Sequence, residues 1–579
     1  MTGVTLDDDM PAEIARRDED RTPERARLRR KPARGDRMRF RIRLAVGVFA
    51  LAFAVIIGRL AMLGIMEPPA GVAGADPNAA MATGRPDLVD RHGEVLAADI
   101  KTASLYGEPR NIADPDEAAE AIAGVLPDLN VAALRKRLTG DAGFVWIKRE
   151  ITPKQQQKIH ALGIPGIGFL TENRRFYPGG PAAAHVLGLV NVDNQGIAGI
   201  EKYVDDKWLA DLHAAGFARG DGLAPVKLSL DISVQHILRD ELVQAMERYR
   251  AIAASGIVLD VHTGEVIAMA SLPDYDPNDP VDALKPDRLN RVSAGVFEVG
   301  SIFKSFTFAM ALDSGAVTLN DSVDASRTIR VGGFTIDDYR GGKKRVLSVP
   351  EVFIFSSNIG TAKMALRVGP EKQQEYLRRF GFFDRPKTDL PEVAAPMVPK
   401  KWPEITAMTV AFGHGLAVSP LQVAIADAAV VNGGKLIPAT FLARTREEAD
   451  KLAVQVISPE TSASMRMLLQ MNVEKGSGTR AAVPGYLVGG KTGTAEKVEG
   501  GRYVGNKRLN SFLAAFPMDD PQYVVLVVLD EPKPEKEGSA ATAGLNAAPT
   551  VAAVIRRSAA LLGVKPRTID SNGIVLVSN

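Results

Sequence analysis

The sequence predicts a multidomain α+β protein held at a membrane by a single helix, and three observations carry that prediction. At 579 residues the chain exceeds one ordinary domain, since domains average about 150 residues. Leu44 to Met66 is apolar except for Arg59, long enough to cross a bilayer as a helix, for which about 20 residues suffice. From Val226 onward, short runs with the period of strands are interleaved with longer runs of helical period. A hydrophobic share of 46% with 24% charged residues is ordinary for globular material and excludes a fibre or a wholly disordered chain.

The amino terminus sets the topology. Residues 1–43 hold 13 Lys and Arg against 9 Asp and Glu, and the basic run from Arg29 to Arg43 ends where the apolar span begins. Such a run alone would suit a nucleic-acid arm; the apolar span behind it points to a membrane and away from nucleic acid. Glu67 to Gly84 carries no basic residue, so the positive-inside rule places residues 1–43 in the cytoplasm and everything after Met66 outside. A cleaved signal peptide, with Ala80-Met81-Ala82 as its small-residue site, is the competing reading, but 43 residues before the apolar run is too long a leader. Arg59 suits a side chain snorkelling to the headgroups, with a contact to a partner's helix as the sharper alternative. The chain has no cysteine, and its seven histidines show no metal-ligand spacing, so neither a metal nor another cofactor is expected.

Residues 1–36, rich in charge and proline, read as disordered, and Glu67 to Thr83 reads as a flexible stalk. Leu88-Val89 suggests a short strand before a turn at His92-Gly93. Residues 67–225 contain no evident pairing of nucleophile and base and read as an α+β pedestal. Val226 to Ile232 then alternates as a strand, and Ser233 to Tyr249 is helical, with Val234, Ile237, Leu238 and Leu242 on one face. Gly256 to Val261 and Glu265 to Ala270 form a hairpin turning at His262-Thr263-Gly264. Later strands are expected at Asn510 to Phe516 and Tyr523 to Leu529, with helices near 421–431 and 549–562. The resulting division is a basic tail at 1–43, an anchor at 44–66, the pedestal at 67–225, an antiparallel sheet flanked by helices at 226–566, and a tail at 567–579.

Three motifs within the last large segment carry chemistry. In Gly300-Ser301-Ile302-Phe303-Lys304, the glycine supplies a turn and the lysine returns to the serine's face one helical turn later. A serine hydroxyl is a poor nucleophile until a neighbouring base takes its proton, and a desolvated lysine can be that base. Ser356-Ser357-Asn358 follows an apolar run and precedes a helical one, and Lys491-Thr492-Gly493-Thr494 follows the start of a strand. A lone SxxK is a weak signal, more often a surface lysine after a helix cap. Serine motif, SxN and KTG in this order form the set found in penicillin-binding proteins and class A β-lactamases.

With these motifs the chain resembles the class B penicillin-binding proteins. The pedestal residues Arg85, Asp90, Arg91 and Gly93, with Arg175-Phe176-Tyr177-Pro178 and Thr263-Gly264-Glu265-Val266, extend the resemblance. Ser356-Ser357-Asn358-Ile359-Gly360, Phe412-Gly413-His414-Gly415 and Ser419-Pro420-Leu421-Gln422 resemble the cell-division, FtsI-like branch more than the elongation branch. The family commonly has Pro and Thr where this chain has Val299 and Ile302, and Gln where it has Glu496.

The resemblance implies a serine β-lactamase-like catalytic domain that cross-links peptidoglycan stem peptides and is acylated by β-lactams. Ser301 is expected to attack the D-Ala-D-Ala carbonyl, with Lys304 as base. Lys491 would hold Lys304 neutral, Ser356 would relay a proton and Asn358 would orient Lys304. Thr492 and Thr494, facing the same way on a strand, would hold the terminal carboxylate, and Gly493 would let substrate approach the backbone. By the family's pattern the backbone N–H groups of Ser301 and Thr494 form the oxyanion hole. The implied partners are an FtsW-like lipid II glycosyltransferase of the SEDS type and other division proteins, at the septal inner membrane with the catalytic domain in the periplasm. A non-catalytic muropeptide receptor and an elongation-type transpeptidase are the alternatives.

Overall fold

The computed structural model describes residues 84–209, 223–339, 342–500, 502–569 and 575–577, with a set of helical positions between 44 and 57. The chain divides into two compact units, 1–77 and 78–579. In the first, the described positions of the predicted anchor are helical and exposed; residues 1–43 and 58–66 lie outside the described residues. Among the described residues no helix is long and apolar enough to cross a membrane.

The second unit opens with a pedestal sheet. Strand β1 (Val95–Gly107) pairs antiparallel with β2 (Val145–Ile151) and with β3 (Ile167–Phe176). Helices Pro115–Val125 and Val131–Leu138 contribute Ile122 and Leu134 to a core with Leu105 and Ile147. The first of these helices starts where it does because the Asp114 carboxylate accepts from the N–H groups of Asp116 and Glu117, with Pro115 at the first helical position. Leu88–Val89 is the predicted short strand, and Gly93 takes φ +94° in the turn after it. Arg85 and Arg175 reach the buried Glu201 carboxylate from either side, at 2.8 and 2.7 Å. Each oxygen has its own guanidinium, which meets the condition for burying a charge.

The predicted strand Val226 to Ile232 is shorter than expected and belongs elsewhere. Only Val226–Lys227 is extended in a ladder, and it pairs parallel with Leu88–Val89, completing the pedestal sheet across the expected boundary at 225/226. The next residues leave that sheet, Leu228 bridging to Leu442. Asp231 then ends the extended run by capping the following helix, its side chain accepting from Ser233 and Val234 N–H.

That helix is α1 (Ile232–Tyr249). It precedes the hairpin β4 (Ala253–Asp260) and β5 (Val266–Leu272), whose turn uses Gly264 at φ +72°. Helices α2 (Lys304–Asp313), α3 (Asn358–Val368), α4 (Pro420–Val431) and α5 (Pro459–Lys475) follow. Strands β6 (Gly489–Glu499), β7 (Arg502–Phe516) and β8 (Tyr523–Asp530) and helix α6 (Ala547–Ser558) complete the domain. The sheet runs β6-β7-β8-β4-β5, antiparallel throughout. All eight residues of β8 are buried, which places it between two layers. Its Val525, Val527 and Leu529 meet α1 and α6, and its Val524, Leu526 and Val528 join the core that holds α2, α4 and α5.

Helix α4 is the centre of that second core. Every one of its residues is buried, including Asp427, whose Oδ1 has no hydrogen-bond partner. Burial alone raises this carboxyl from 3.8 to about 7, so ionisation opposes folding. Stability is highest below the unfolded value and declines as pH rises toward the folded value, above which the penalty is constant. At about 1.36 kcal/mol per unit, Asp427→Asn should gain stability on the unaltered protein by roughly 3 kcal/mol between pH 5 and pH 8. Denaturant unfolding at the two pH values measures this, and an equal difference at both would contradict it.

Candidate active site

The serine turn is built by backbone contact. Gly300 takes φ +56°, and a side chain there would stand 2.7 Å from the Thr494 carbonyl oxygen. Its N–H donates to the Gly413 carbonyl at 3.2 Å, and a side chain on Gly413 would lie 2.1 Å from the Gly300 oxygen. A tight 3₁₀ turn, Gly300–Phe303, carries Ser301 and passes into α2 at Lys304. Lys304 is therefore the first residue of the α-helix proper, and Ser301 lies in the turn before it.

The Lys304 amine is fully buried. It donates to the Ser356 carbonyl at 2.5 Å, to Ser356 Oγ at 3.0 Å and to Asn358 Oδ1 at 2.8 Å. Among the described residues its hydrogen bonds all go to the SxN turn. Lys491, also fully buried on β6, donates to the same Ser356 Oγ at 3.0 Å. Its amine lies 5.9 Å from the centre of the Phe353 ring. One hydroxyl thus sits between two lysine amines. Burial holds Lys304 well below its usual range, with the Lys491 charge acting the same way and Asp338 opposing. Burial brings Lys491 down to about 7.

Ser356 reaches this position because its backbone is left-handed, φ +53°, a conformation that costs a non-glycine residue on the order of 1 kcal/mol or more. The turn is pinned from outside. Ser357 caps α3 by accepting from Gly360 N–H and donates to the Asp338 carboxylate at 2.8 Å, which also accepts from Ile359 N–H at 3.0 Å. Asn358 donates to the Asp337 carbonyl at 3.0 Å. The sequence offered no sign of Asp338, which lies 19 positions before its partner Ser357.

On β6 the KTG segment is an edge, pairing only with β7, with Thr494 opposite Asn510. Thr492 is buried, and its hydroxyl lies 2.7 Å from that of Ser477, an exposed residue in the loop after α5. Thr494 accepts from Ala543 N–H at 3.4 Å. A side chain on Gly493 would meet the Val299 carbonyl and Ser511 Oγ, each at 2.5 Å, so the serine turn packs directly against this strand. Ser477 was missed as well; Asn472 holds it, accepting from its N–H at 3.2 Å while donating to the Gly490 carbonyl at 2.7 Å.

A second group closes over the serine turn. Tyr503, on the long β6–β7 hairpin, donates to Glu298, and Gly415 N–H donates to the same carboxylate at 2.8 Å. The predicted strand from Asn510 is the inner half of β7, which begins at Arg502.

Comparison with known proteins agrees with this architecture. Residues 254–555 match the penicillin binding protein transpeptidase domain, and residues 81–211 the penicillin-binding protein dimerisation domain. The probable peptidoglycan D,D-transpeptidase FtsI of Caulobacter vibrioides is 40% identical over 94% of this chain and 92% of its own length. The peptidoglycan D,D-transpeptidase FtsI of Escherichia coli K12 is 30% identical over 93% and 95%. Among solved structures, penicillin binding protein 3 of Mycobacterium tuberculosis complexed with aztreonam superposes with TM-score 0.64 at 25% identity, covering 86% of this chain and 99% of that one.

The capping carboxylate should be essential to the turn. Asp338→Ala leaves the Ser357 hydroxyl and Ile359 N–H without their partner, and about 2 kcal/mol of stability should be lost. Urea denaturation measures it; a loss under about 0.5 kcal/mol would show the turn to be self-supporting.

Proposed function

The chain belongs to the penicillin-binding transpeptidase family as a peptidoglycan D,D-transpeptidase of the FtsI kind, and from that membership we propose that Ser301 is its nucleophile and Lys304 its base. The observation that carries this reading is the single Ser356 hydroxyl held at 3.0 Å by both buried lysine amines. A lysine there is desolvated, and a neutral amine is the form able to accept a proton.

Ser301 Oγ attacks the carbonyl carbon of the penultimate D-Ala of the donor stem peptide, passing its proton toward Lys304. The Ser301 and Thr494 N–H groups face the developing oxyanion, an arrangement supported by the close approach of the Gly300 turn to the Thr494 peptide. As the tetrahedral centre collapses, the C–N bond breaks and the leaving D-Ala nitrogen receives a proton through Ser356, which both lysines can recharge. An acceptor amine then attacks the ester carbon. A new C–N bond forms, the bond to Ser301 Oγ breaks, and the amine's proton returns to that oxygen by the same relay. Asn358 fixes the Lys304 amine, and Thr492, Thr494 and Lys491 hold the terminal carboxylate, a role supported by the 3.5 Å approach of the Lys491 amine to the Thr492 hydroxyl. A β-lactam enters the first half of this sequence and stops there.

The basic tail and apolar span at 44–66 support a single-pass anchor with the catalytic domain in the periplasm. The FtsI relatives support work at the septum, and the family resemblance implies an FtsW-like lipid II glycosyltransferase as the partner there.

Ser301→Ala should abolish labelling by a fluorescent penicillin while leaving the thermal midpoint nearly unchanged, and a labelled variant would refute the assignment. The pH profile of acylation tests the base. Lys304 acts when neutral, so the rate rises with pH along an acid limb. Lys491→Met removes a positive charge that depresses Lys304, and the limb should move to higher pH by up to about one unit. Stopped-flow acylation between pH 5 and 9 reads this, and a limb that stays put or moves to lower pH counts against Lys304.

A further inference from the structure

Next to the KTG strand lies a cavity of about 340 Å³ that no step above uses. Its walls include Arg248, Arg480, Lys533 and Lys536, against one acid, Glu535. Glu535 is committed to Arg248, at 2.9 Å. Among the described residues, Arg480, Lys533 and Lys536 form no ion pair, and all three are exposed. The backbone around them is fixed. Lys533 N–H donates to the Tyr249 carbonyl at 2.7 Å and the Arg250 guanidinium to the Pro534 carbonyl at 2.6 Å. These bonds gather an excess of positive charge around one opening.

The place of this cavity relative to the cleft gives it a use. Arg480 follows Ser477 by three residues, and the Ser477 hydroxyl bonds Thr492. Gly544, in the loop that forms the opposite wall, packs against Ser477, and the neighbouring Ala543 N–H donates to Thr494. Asn510, opposite Thr494 in the β6–β7 ladder, donates to Ala541 and Asn546, both in the cavity wall. The cationic opening is therefore contiguous with the end of the cleft where Thr492 and Thr494 would hold the donor's terminal carboxylate. The second half-reaction is the first run backward with a new amine, so the acceptor enters from the side by which D-Ala leaves.

Resting on the transpeptidase reading above, we propose that Arg480, Lys533 and Lys536 form the acceptor subsite, binding carboxylates of the incoming stem peptide. Cations without a partner need break no existing pair to take a carboxylate. Exposed charge pairs are individually weak, and three acting together change affinity measurably.

The experiment uses the full chain, a thioester donor, and one amine acceptor peptide prepared with free and with amidated carboxyl groups. In the triple variant Arg480→Ala/Lys533→Ala/Lys536→Ala, KM for the free-acid acceptor should rise about tenfold, since three individually weak exposed pairs are lost together. Transfer to the amidated acceptor and acylation by penicillin should be unaltered. Raising ionic strength on the unaltered protein should weaken the free-acid acceptor selectively, which gives the same discrimination with no substitution. Equal loss for both acceptors, or no loss for either, overturns the subsite while Ser301 stands. Failure of the unaltered protein to acylate would overturn the serine reading itself, and the subsite with it.

Discussion

Two lysine amines out of contact with water, bonded to one serine hydroxyl, are the constraint on which the rest of the catalytic domain depends. Removing an ammonium from water is costly enough that the group loses its proton before the fold accepts the charge unpaired. The cost is what makes the amines useful. It leaves Lys491 near the midpoint of its titration at neutral pH, and adds to it a mutual repulsion that keeps Lys304 from being charged at the same time. The three segments that meet here come from a helix start, a left-handed turn and a sheet edge, separated by 52 and 135 positions along the chain. Local preferences cannot bring them together; the two cores on either side of β8 must do so.

The convergence is enforced where backbones touch. Gly300 lies against Thr494, Gly413 against Gly300, and Gly493 against Val299, each too close for a β-carbon. The serine turn is consequently clamped between a sheet edge on one side and the Phe412 to Gly415 loop on the other. A methyl group at any of the three would displace a main chain, and a shift of about 1 Å at a nucleophile is enough to lower a rate by two orders of magnitude. At Gly493 the spacing identifies the position, while only the tertiary contact reveals that the Val299 carbonyl also requires a glycine there.

Much of this was legible in the residues because its signals are local. The serine, SxN and KTG motifs each sit beside the helix or strand that their flanking periodicity implies, and the β4–β5 hairpin follows from His262-Thr263-Gly264. Helices α1 and α4 lie within a few residues of their predicted ends, since Asp231 and Ser419 cap them. What escaped reading depends on distant partners. Asp338 and Ser477 carry no pattern of their own and gain their roles from Ser357 and Thr492. Val226–Lys227 has the alternation of a strand, yet its sheet is chosen by an edge at Leu88, more than a hundred residues earlier. The i, i+3 spacing of Ser301 and Lys304 likewise says nothing of the bonds the amine makes to Ser356 and Asn358, more than fifty positions away.

The pedestal is bonded into the same scaffold. Glu392 accepts from Gly199 N–H at the pedestal end, and Ser293 donates to the Glu392 carbonyl at 2.7 Å. Ala394 N–H donates to Ser293, and Met397 exchanges both main-chain bonds with Ala417. Phe297 in turn exchanges both with Val418. Two residues after Gly415 and three before Gly300, this run of extended segments arrives on both sides of the clamp. Leu88, Leu96 and Tyr177 of the pedestal lie in the same core as Ile302, Phe303 and Phe306 of the serine segment. Well-packed cores respond to strain by discrete rearrangement more readily than by gradual deformation. The precision of the reacting groups is therefore a property of pedestal and catalytic domain together, and a catalytic domain cut free at residue 226 would lose both the Val226–Lys227 ladder and the Glu392 contact that hold the serine segment from below.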